Sequence, residues 1–307
     1  MITPPVMQPI LYLSPHPDDV VFSCGGSLAL DCASGPVTLV TAFTRPAQAA
    51  ARLAEDREAA AILGCRHVNL DLPAALDRPE VRGALDVYAP LGPQHLGVIS
   101  ELVARLRPLL VEQPLLYAPL GVGGHSDHRL CFVAARALAE SLGLTLRLYE
   151  DQPFSQAPYA VARRLALLRA RVVAPDTAPP AAATDAVGQA AQQRFLRSLP
   201  GLLPAGLLRP LRARRLARAQ WHHDRPSTLA GAPPVLQART RTVDAVAGLH
   251  LKAIAAYASQ WPRFAASPQA LYAGLVRHGG SATLVERCWE AQATLGGGKP
   301  LGAALVT

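Results

Sequence analysis

The chain has 307 residues and half of them are apolar, enough to bury the core of one large domain or of a core domain with a smaller appendage. It has no apolar run long enough for a transmembrane segment and no N-terminal secretory pattern, so we expect a soluble, cytoplasmic protein. The five scattered cysteines argue against a disulfide framework and against a thiolate zinc site.

The formal net charge is +8, and much of the excess lies in the Arg209–Arg218 cluster. Few aromatic residues and no nucleic-acid motif accompany this cluster, so we expect no nucleic-acid partner. A solvated helix face is the simplest interpretation. Contact with a phosphate-bearing substrate or with an anionic membrane surface stays open as the alternative. The sequence is also compatible with a homo-oligomer.

Strand and helix patterns alternate through the first half of the chain. Short apolar or β-branched runs predict strands at Ile10–Leu13, Val37–Phe43, Val68–Leu72, Leu115–Ala118 and Thr145–Tyr149. Helical composition with stop signals predicts helices at Gly25–Ala33, Ala47–Leu63, Leu96–Leu106 and His128–Leu142. This alternation indicates an α/β, Rossmann-like fold: a doubly wound, mostly parallel sheet with helices on both faces and a smaller C-terminal extension.

The pattern changes after residue 153, so we divide the chain into a catalytic core, 1–153, and a C-terminal part, 154–307, that completes the fold and shapes the substrate side. The segment 174–188 is rich in Ala and Pro and predicts a loop. Helical composition returns at 189–220, interrupted by prolines, and a clearer helix is predicted at Val243–Tyr257. The Gly-rich tail from Ala291 onward predicts irregular structure.

The loop after the first predicted strand reads Pro15-His16-Pro17-Asp18-Asp19. Proline favours an extended conformation at His16, and neighbouring residues of an extended chain point in opposite directions. Asp18 and Asp19 can therefore serve different partners, one a metal and the other a bound water.

The loop after the fourth predicted strand carries three glycines followed by His125-Ser126-Asp127-His128. His125 and His128 are three residues apart at a helix start, so they can share one face, and Asp127 could orient a histidine. In a parallel sheet both loops emerge at the same rim, which brings them together in space. Three nitrogen or oxygen ligands with an open position are typical of catalytic zinc, and they also suit Fe²⁺.

These motifs resemble those of the LmbE-like, or PIG-L, family of N-acetylglucosaminyl deacetylases. His16-Pro17-Asp18-Asp19 with Gly26, and His125-x-Asp127-His128-Arg129, are the specific signatures. Softer features that match are Arg52-x-x-Glu55-Asp56, Tyr149-Glu150-Asp151-x-Pro153 and Lys252-x-x-x-x-Tyr257-x-Ser259-Gln260. Residues 155–240 match nothing in the family pattern.

The resemblance implies zinc-dependent removal of an acetyl group from a GlcNAc-containing small molecule, glycoside or glycolipid. It implies that His16, Asp19 and His128 hold the metal and that Asp18 is the general base. It also implies that His125 stabilises the oxyanion or protonates the leaving amine. The amino-sugar substrate could be anionic.

Two positions depart from the family pattern, and two arginines are candidates for substrate contact. Val20 stands where the family often has Glu, and Gly123 where some members carry a tyrosine. Arg52 and Arg45 are the candidate substrate-binding residues. A surface ion pair between Arg52 and Glu55 or Asp56 would explain the presence of Arg52 equally well.

Two other functions stay open. The same metal could serve an amidase or esterase for another small N-acyl metabolite. A non-catalytic glycan or nucleotide binder could also use this fold, although Asp18 argues against it because a pure binder needs no base beside the metal. A Rossmann dinucleotide site is disfavoured because no G-x-G-x-x-G follows the first strand.

Overall fold

The computed structural model describes residues 8–45, 49–83, 86–110, 114–157, 159–173, 229, 232–280 and 283–292. The predicted loop 174–188, the predicted helical segment 189–220 and the Arg209–Arg218 cluster lie outside these residues, as does the predicted irregular tail apart from its first two residues. Among the helices that are described, none combines the length and the apolar composition needed to cross a membrane.

Strands and helices alternate as the sequence predicts. The strands are β1 Ile10–Ser14, β2 Val37–Arg45, β3 Arg66–Pro73, β4 Leu115–Pro119, β5 Leu146–Tyr149, β6 Arg171–Val172, β7 Val235–Thr242 and β8 Val285–Ala291. The helices are α1 Asp19–Cys32, α2 Ala49–Leu63, α3 Leu96–Leu106, α4 Ser126–Leu142, α5 Ala160–Leu167, α6 Ala247–Ala256 and α7 Pro268–His278. Short 3₁₀ turns join several of them.

The described strands form one sheet in the order β3-β2-β1-β4-β5-β8-β7-β6. The first five of these run parallel, and β8 pairs antiparallel with both β5 and β7. The predicted α/β fold with a mostly parallel sheet is therefore confirmed. Since β7 and β8 come from the later part of the chain, that part adds strands directly to the sheet; the division at residue 153 stays a prediction.

Helices cover both faces of the sheet, and side chains alternate between two apolar cores. On β1, Leu11 and Leu13 lie in one core, with α3 and α4, whereas Tyr12 lies in the other, with α1, α2, α6 and α7. This alternation is the period of two that a strand buried on both faces requires.

The structure corrects one element and adds others. We predicted that the first helix begins at Gly25, but α1 begins at Asp19 and is kinked at Cys24. The glycine pair resembles the start of a helix, although it lies inside α1. Helices α5 and α7 and strands β6, β7 and β8 were not predicted from the sequence.

A buried carboxylate ties β5 to β8 and α7. Glu150 is 3% exposed and accepts hydrogen bonds from His278 Nε2 (2.8 Å), Arg287 Nε (2.6 Å) and Trp289 Nε1 (3.0 Å). Burial alone would raise the pKa of Glu150, but the hydrogen bond from His278 and the charge of Arg287 outweigh it and lower the pKa to about 2.

Glu150 is expected to make stability depend on acid pH. Because its folded-state pKa lies below the unfolded value near 4.5, its stabilisation is complete above about pH 4.5 and disappears as the pH falls toward 2. The contribution is on the order of 3 kcal/mol. Urea unfolding of Glu150→Gln should show a lower free energy of unfolding at pH 7 and a shallower pH dependence between pH 4.5 and 3.

The matched control is Glu101→Gln, which removes a carboxylate from an exposed i,i+4 pair with Arg105. Such a pair contributes little, so both stability and its pH dependence should stay close to those of the unchanged protein. Equal pH slopes for Glu150→Gln and the unchanged protein would contradict the assignment.

Candidate metal centre

Adjacent parallel strands bring the two histidine loops together. β1 and β4 pair from Ile10 opposite Leu115 to Tyr12 opposite Tyr117, and both loops leave at the carboxyl ends of these strands. The first loop leads into α1 at Asp19, and the second leads into α4, whose first turn holds His128. Residues more than a hundred positions apart in sequence thereby become neighbours.

The backbone of the first loop is held in an unusual conformation. Asp18 has φ 106°, a region that residues with a side chain rarely adopt, and costs of about 1–3 kcal/mol are typical there. Three hydrogen bonds fix this turn: His16 N–H to Asp19 Oδ2 (2.8 Å), Val20 N–H to Ser14 Oγ (3.2 Å) and Arg52 Nη2 to the Pro17 carbonyl (2.9 Å). The turn directs the carboxyl groups of Asp18 and Asp19 to different partners.

Three donor atoms converge on one point. Asp19 Oδ2 lies 3.0 Å from His16 Nδ1 and 3.3 Å from His128 Nε2, and the three donor atoms all fall within 4.8 Å of one another. Tetrahedral bonds of about 2.0–2.1 Å place two ligands roughly 3.3 Å apart. The donor types and their spacing therefore fit a small divalent metal with one position left for a ligand.

The outer nitrogen of each donor histidine is bonded to a buried carboxylate. His16 Nε2 lies 2.8 Å from Asp127 Oδ2, and His128 Nδ1 lies 2.6 Å from Asp151 Oδ1. An N–H that donates to a carboxylate fixes the tautomer, so the inner nitrogen presents its lone pair to the metal position. This arrangement is the usual environment of metal-binding histidines, and it supports the fit.

Asp151 also belongs to the site, although it was not predicted as a site residue from the sequence. Its Oδ2 accepts hydrogen bonds from the backbone N–H groups of Gly121 (2.8 Å) and Val122 (2.7 Å), while Oδ1 bonds His128. Asp151 thus ties the second histidine loop to the end of β5. The sequence does contain an indication of this role, because Asp151 follows a predicted strand that ends at the same rim as the two histidine loops.

Replacing Asp151 by asparagine should weaken metal binding. The amide cannot hold the negative charge that orients His128, and loss of such an outer partner typically costs 10–100-fold in metal affinity. A competition titration with a zinc chelator measures this directly. Asp56→Asn is the control, because Asp56 is a buried carboxylate that bonds Thr41, His67 and Tyr257 instead. Its zinc affinity should be unchanged; equal affinities for all three proteins would contradict the role of Asp151.

Asp127 belongs to a second possible grouping with His16 and His125. Its carboxylate, however, is already occupied: Oδ1 lies 2.6 Å from Arg78 Nη1, and Oδ2 accepts from Ala75 N–H (3.0 Å) as well as facing His16. Although burial opposes it, hydrogen bonding from His16 keeps the pKa of Asp127 far below its usual range. A carboxylate neutralised by a buried arginine is a poor metal ligand, so we favour the grouping with Asp19.

The donor groups carry strongly shifted pKa values. Burial disfavours charge on His16, but Asp19 and Asp127 outweigh this and raise the pKa of His16 to about 9. Burial likewise opposes ionisation of Asp19, but His128 and His16 lower the pKa of Asp19 to about 2. A metal that binds here must displace the proton from His16, so binding is expected to release protons.

Asp18 lies beside the donors without joining them. It is 5% exposed, and its carboxylate is 3.6 Å from Arg52 Nη2. Burial is the main reason that the pKa of Asp18 is raised to about 7, and the negative charge of Asp19 adds to the effect. The positive charges of Arg52, His16 and Arg263 oppose it but are weaker. A carboxyl group with a pKa near neutrality is suited to exchange protons.

One ring nitrogen of His125 is engaged by a backbone hydrogen bond. Its Nδ1 accepts a hydrogen bond from the backbone N–H of Asp127 (3.2 Å), which places the proton of the neutral ring on Nε2. Burial above all, together with the charges of His16 and His128, lowers the pKa of His125 well below the usual value. A neutral ring of this kind suits the first of the two roles implied by the resemblance, stabilisation of the oxyanion through the N–H at Nε2.

The two arginines proposed for substrate contact lie in different places. Arg52 reaches the first loop, whereas its expected alternative partners bond elsewhere: Glu55 to Ser259 and Asp56 to Tyr257. Arg45 points its guanidinium at Asp71, donating to the carbonyl at 2.8 Å, and its side chain is 52% exposed. Arg52 therefore joins the cluster and Arg45 does not.

Gly123 is required by its surroundings. It has φ +87°, and a Cβ there would lie 2.9 Å from the Phe154 ring. Phe154 in turn packs edge-on against His128, with ring centroids 6.2 Å apart. Phe154 therefore occupies the space that a side chain at position 123 would need. Tyr88 packs against His125, with ring centroids 6.1 Å apart.

A separate cavity of about 410 Å³ is lined by Ser23, Glu150, Gln152 and residues of β7, β8 and the end of α7. None of the donor residues is among the described residues of its walls. We therefore place the chemistry at the metal centre and not in this cavity.

Residues 11–139 match the family model described as PIG-L: GlcNAc-PI de-N-acetylase. The resemblance inferred from the two signatures is therefore confirmed over this stretch, which contains His16, Asp18, Asp19, His125 and His128. Over 181 residues the chain is 34% identical to the 2'-N-acetylparomamine deacetylase of Streptomyces fradiae, an alignment covering 54% of this chain and 64% of that protein. The chain thus spans just under two thirds of this curated relative's length.

Solved structures with the same fold include proteins described as deacetylases. The zinc-inhibited form of teicoplanin deacetylase Orf2 superposes with a TM-score of 0.61 at 18% identity, covering 94% of this chain and 99% of that chain. The A40926 pseudoaglycone deacetylase gives 0.57 at 20% identity, covering 94% and 98%. At these identities the likeness establishes the fold.

Proposed function

We propose that the protein is a metal-dependent deacetylase that removes an N-acetyl group from an amino sugar. The observation that carries this proposal is the placement of Asp18 and His125 beside the converging donors His16, Asp19 and His128. The PIG-L match and the curated deacetylase relative support the same reaction class.

His16, Asp19 and His128 would hold the divalent metal. When bound, the metal supplies Lewis acidity, which polarises the amide carbonyl and lowers the pKa of a ligated water toward about 7. Zinc is our first candidate because the donors are two imidazoles and a carboxylate at tetrahedral spacing. Fe²⁺ accepts the same donor types.

Asp18 takes the proton of the attacking water. Its burial and the neighbouring Asp19 keep its proton affinity high, so the carboxylate is a competent base near neutral pH. Arg52, 3.6 Å away, and the strained turn at Asp18 hold the carboxylate in place. When the carbon–nitrogen bond breaks, the same carboxyl group can return its proton to the leaving amine.

His125 donates from Nε2 to the amide oxygen as negative charge develops there. The backbone N–H of Asp127 fixes the ring tautomer, so the donor is in place before the reaction. Edge-on contact with Tyr88 limits rotation of the ring. A donor that is fixed in advance stabilises the transition state more than the ground state.

For the substrate class we propose N-acetylated amino-sugar conjugates, with aminoglycoside-like and GlcNAc-containing compounds as the two arms of a test. Purified protein with one equivalent of zinc would be offered 2'-N-acetylparomamine, a GlcNAc glycoside and Nε-acetyllysine, and primary amine would be measured. Amine release from either sugar, with Nε-acetyllysine much slower, supports the proposal. No release from either sugar, or preference for Nε-acetyllysine, would overturn it.

A further inference from the structure

The helix that follows the aspartate pair is broken in the middle. Within α1, Cys24 has φ −148° and ψ 32°, outside the helical region, so the helix divides into a first segment from Asp19 to Ser23 and a second from Gly25 to Cys32. A break frees carbonyl groups of the turn before it and N–H groups of the turn after it. Because these groups are buried, they need other partners.

The later part of the chain supplies those partners on both sides of the break. His250 of α6 donates from Nε2 to the Val21 carbonyl (2.7 Å), which closes the end of the first segment. Glu286 of β8 accepts from Gly26 N–H (2.9 Å) and Ser27 N–H (2.7 Å), at the start of the second. A carboxylate at a helix start is favoured by the exposed N–H groups and by the helix dipole.

The glycine pair makes this close approach feasible. A Cβ on Gly25 would lie 2.6 Å from His250 Nε2, and a Cβ on Gly26 would lie 2.5 Å from Val243 Cγ2 and 2.9 Å from Glu286 Oε1. Contacts this short essentially never occur with real side chains. The glycines therefore serve the docking of α6 and β8 against the break.

The first segment connects this docking to both metal loops. It begins at Asp19, a metal donor, directly after Asp18. Near the break, Ser23 Oγ accepts a hydrogen bond from Gln152 N–H (3.0 Å), next to Asp151, which bonds His128. A shift of the first segment would therefore change the geometry of Asp19 and the support of His128 together.

We propose that Glu286 and His250 are positioning residues for the metal centre. By hydrogen-bonding the free backbone groups on either side of the break, they hold Asp19 at its distances from the donor histidines. Neither residue touches the metal position, and this inference rests on the metal site proposed above. Strand β8 and helix α6 thereby support a site whose donors all come from the first half of the chain.

The test compares Glu286→Gln with Glu290→Gln. In Glu286→Gln the charge is lost, and the amide turns an NH₂ group toward one of the two backbone N–H groups. Glu290 is the control because it lies on the same strand but pairs with Arg147 and Arg239. Zinc affinity, kcat and KM would be measured on folded protein. We expect Glu286→Gln to bind zinc about tenfold more weakly, with lower kcat and unchanged KM, and Glu290→Gln to behave like the unchanged protein.

A second pair separates positioning from simple loss of stability. His250→Gln keeps a donor for the Val21 carbonyl, and His250→Leu removes it; zinc affinity should be retained in the first and reduced in the second. Equal affinities in this pair, together with unchanged affinity in Glu286→Gln, would overturn the proposal, as would an equal loss in Glu290→Gln.

Amide hydrogen exchange provides a readout that needs neither metal nor substrate. Peptides spanning residues 14–22 should exchange faster in Glu286→Gln than in Glu290→Gln, while peptides of β2 stay the same. Equal exchange of these peptides in Glu286→Gln and Glu290→Gln would overturn the positioning role, whether or not the protein binds zinc. Failure of the protein to bind zinc would count against the proposed function alone.

Discussion

Asp18→Asn is expected to retain its metal and to lose about 10²–10⁴-fold in kcat, the usual contribution of a positioned general base. Asparagine has nearly the same shape as aspartate but cannot accept a proton from water. The donors His16, Asp19 and His128 are untouched, so metal content per chain should equal that of the unchanged protein. Steady-state amine release and metal analysis on the same sample measure both quantities.

The pH profile sharpens this test. In the described structure the pKa of Asp18 is raised to about 7, and a bound cation nearby would lower it, so activity should rise with pH along a limb at or below pH 7. That limb should vanish in Asp18→Asn. Asp31→Asn, on the same helix but bonded to Tyr12 and Arg241, is the control and should keep the limb. Undiminished kcat in Asp18→Asn would show that another group is the base.

His128→Ala is expected to have the largest effect on metal binding. It removes one of three donors, so the loss of affinity should exceed the 10–100-fold expected for an outer partner such as Asp151. Metal content after dialysis against a weak chelator should fall close to zero, and turnover should fall with it.

His125→Ala is the matched control, since it removes a histidine of the same loop that we do not place among the donors. It should keep one metal per chain and lose turnover. The opposite pattern, with metal lost in His125→Ala and retained in His128→Ala, would favour the grouping of His16, His125 and Asp127 and overturn our choice of ligands.

The parallel sheet could be predicted from the sequence, and with it the emergence of the two histidine loops at one rim of that sheet. Alternating apolar strands and helices indicate a parallel sheet, and the carboxyl ends of parallel strands share a rim. The structure brings His16, Asp19 and His128 together at that rim for this reason. Asp151 follows β5 at the same rim and could have been found by the same reasoning.

Other parts of the site have no local signal. Arg78, which neutralises Asp127, lies just after a short 3₁₀ turn without periodicity, and Arg263 ends another such turn. The start of α1 was wrongly predicted at Gly25, because a pair of glycines usually marks an end of a helix. Both positions need glycine because His250 and Val243, more than 200 residues later, come too close for a side chain. Such long-range contacts cannot be read from the local sequence pattern.

Metal-dependent turnover is the most direct test of whether the protein is a metal-dependent deacetylase. Metal would be removed with a chelator, zinc, Fe²⁺ or Co²⁺ would be added back stepwise, and bound metal and released amine would be measured on each sample with an N-acetylated amino sugar. Turnover should be absent in the metal-free protein and rise in proportion to bound metal, up to one ion per chain. Equal amine release by the metal-free protein would show that the reaction does not need the metal.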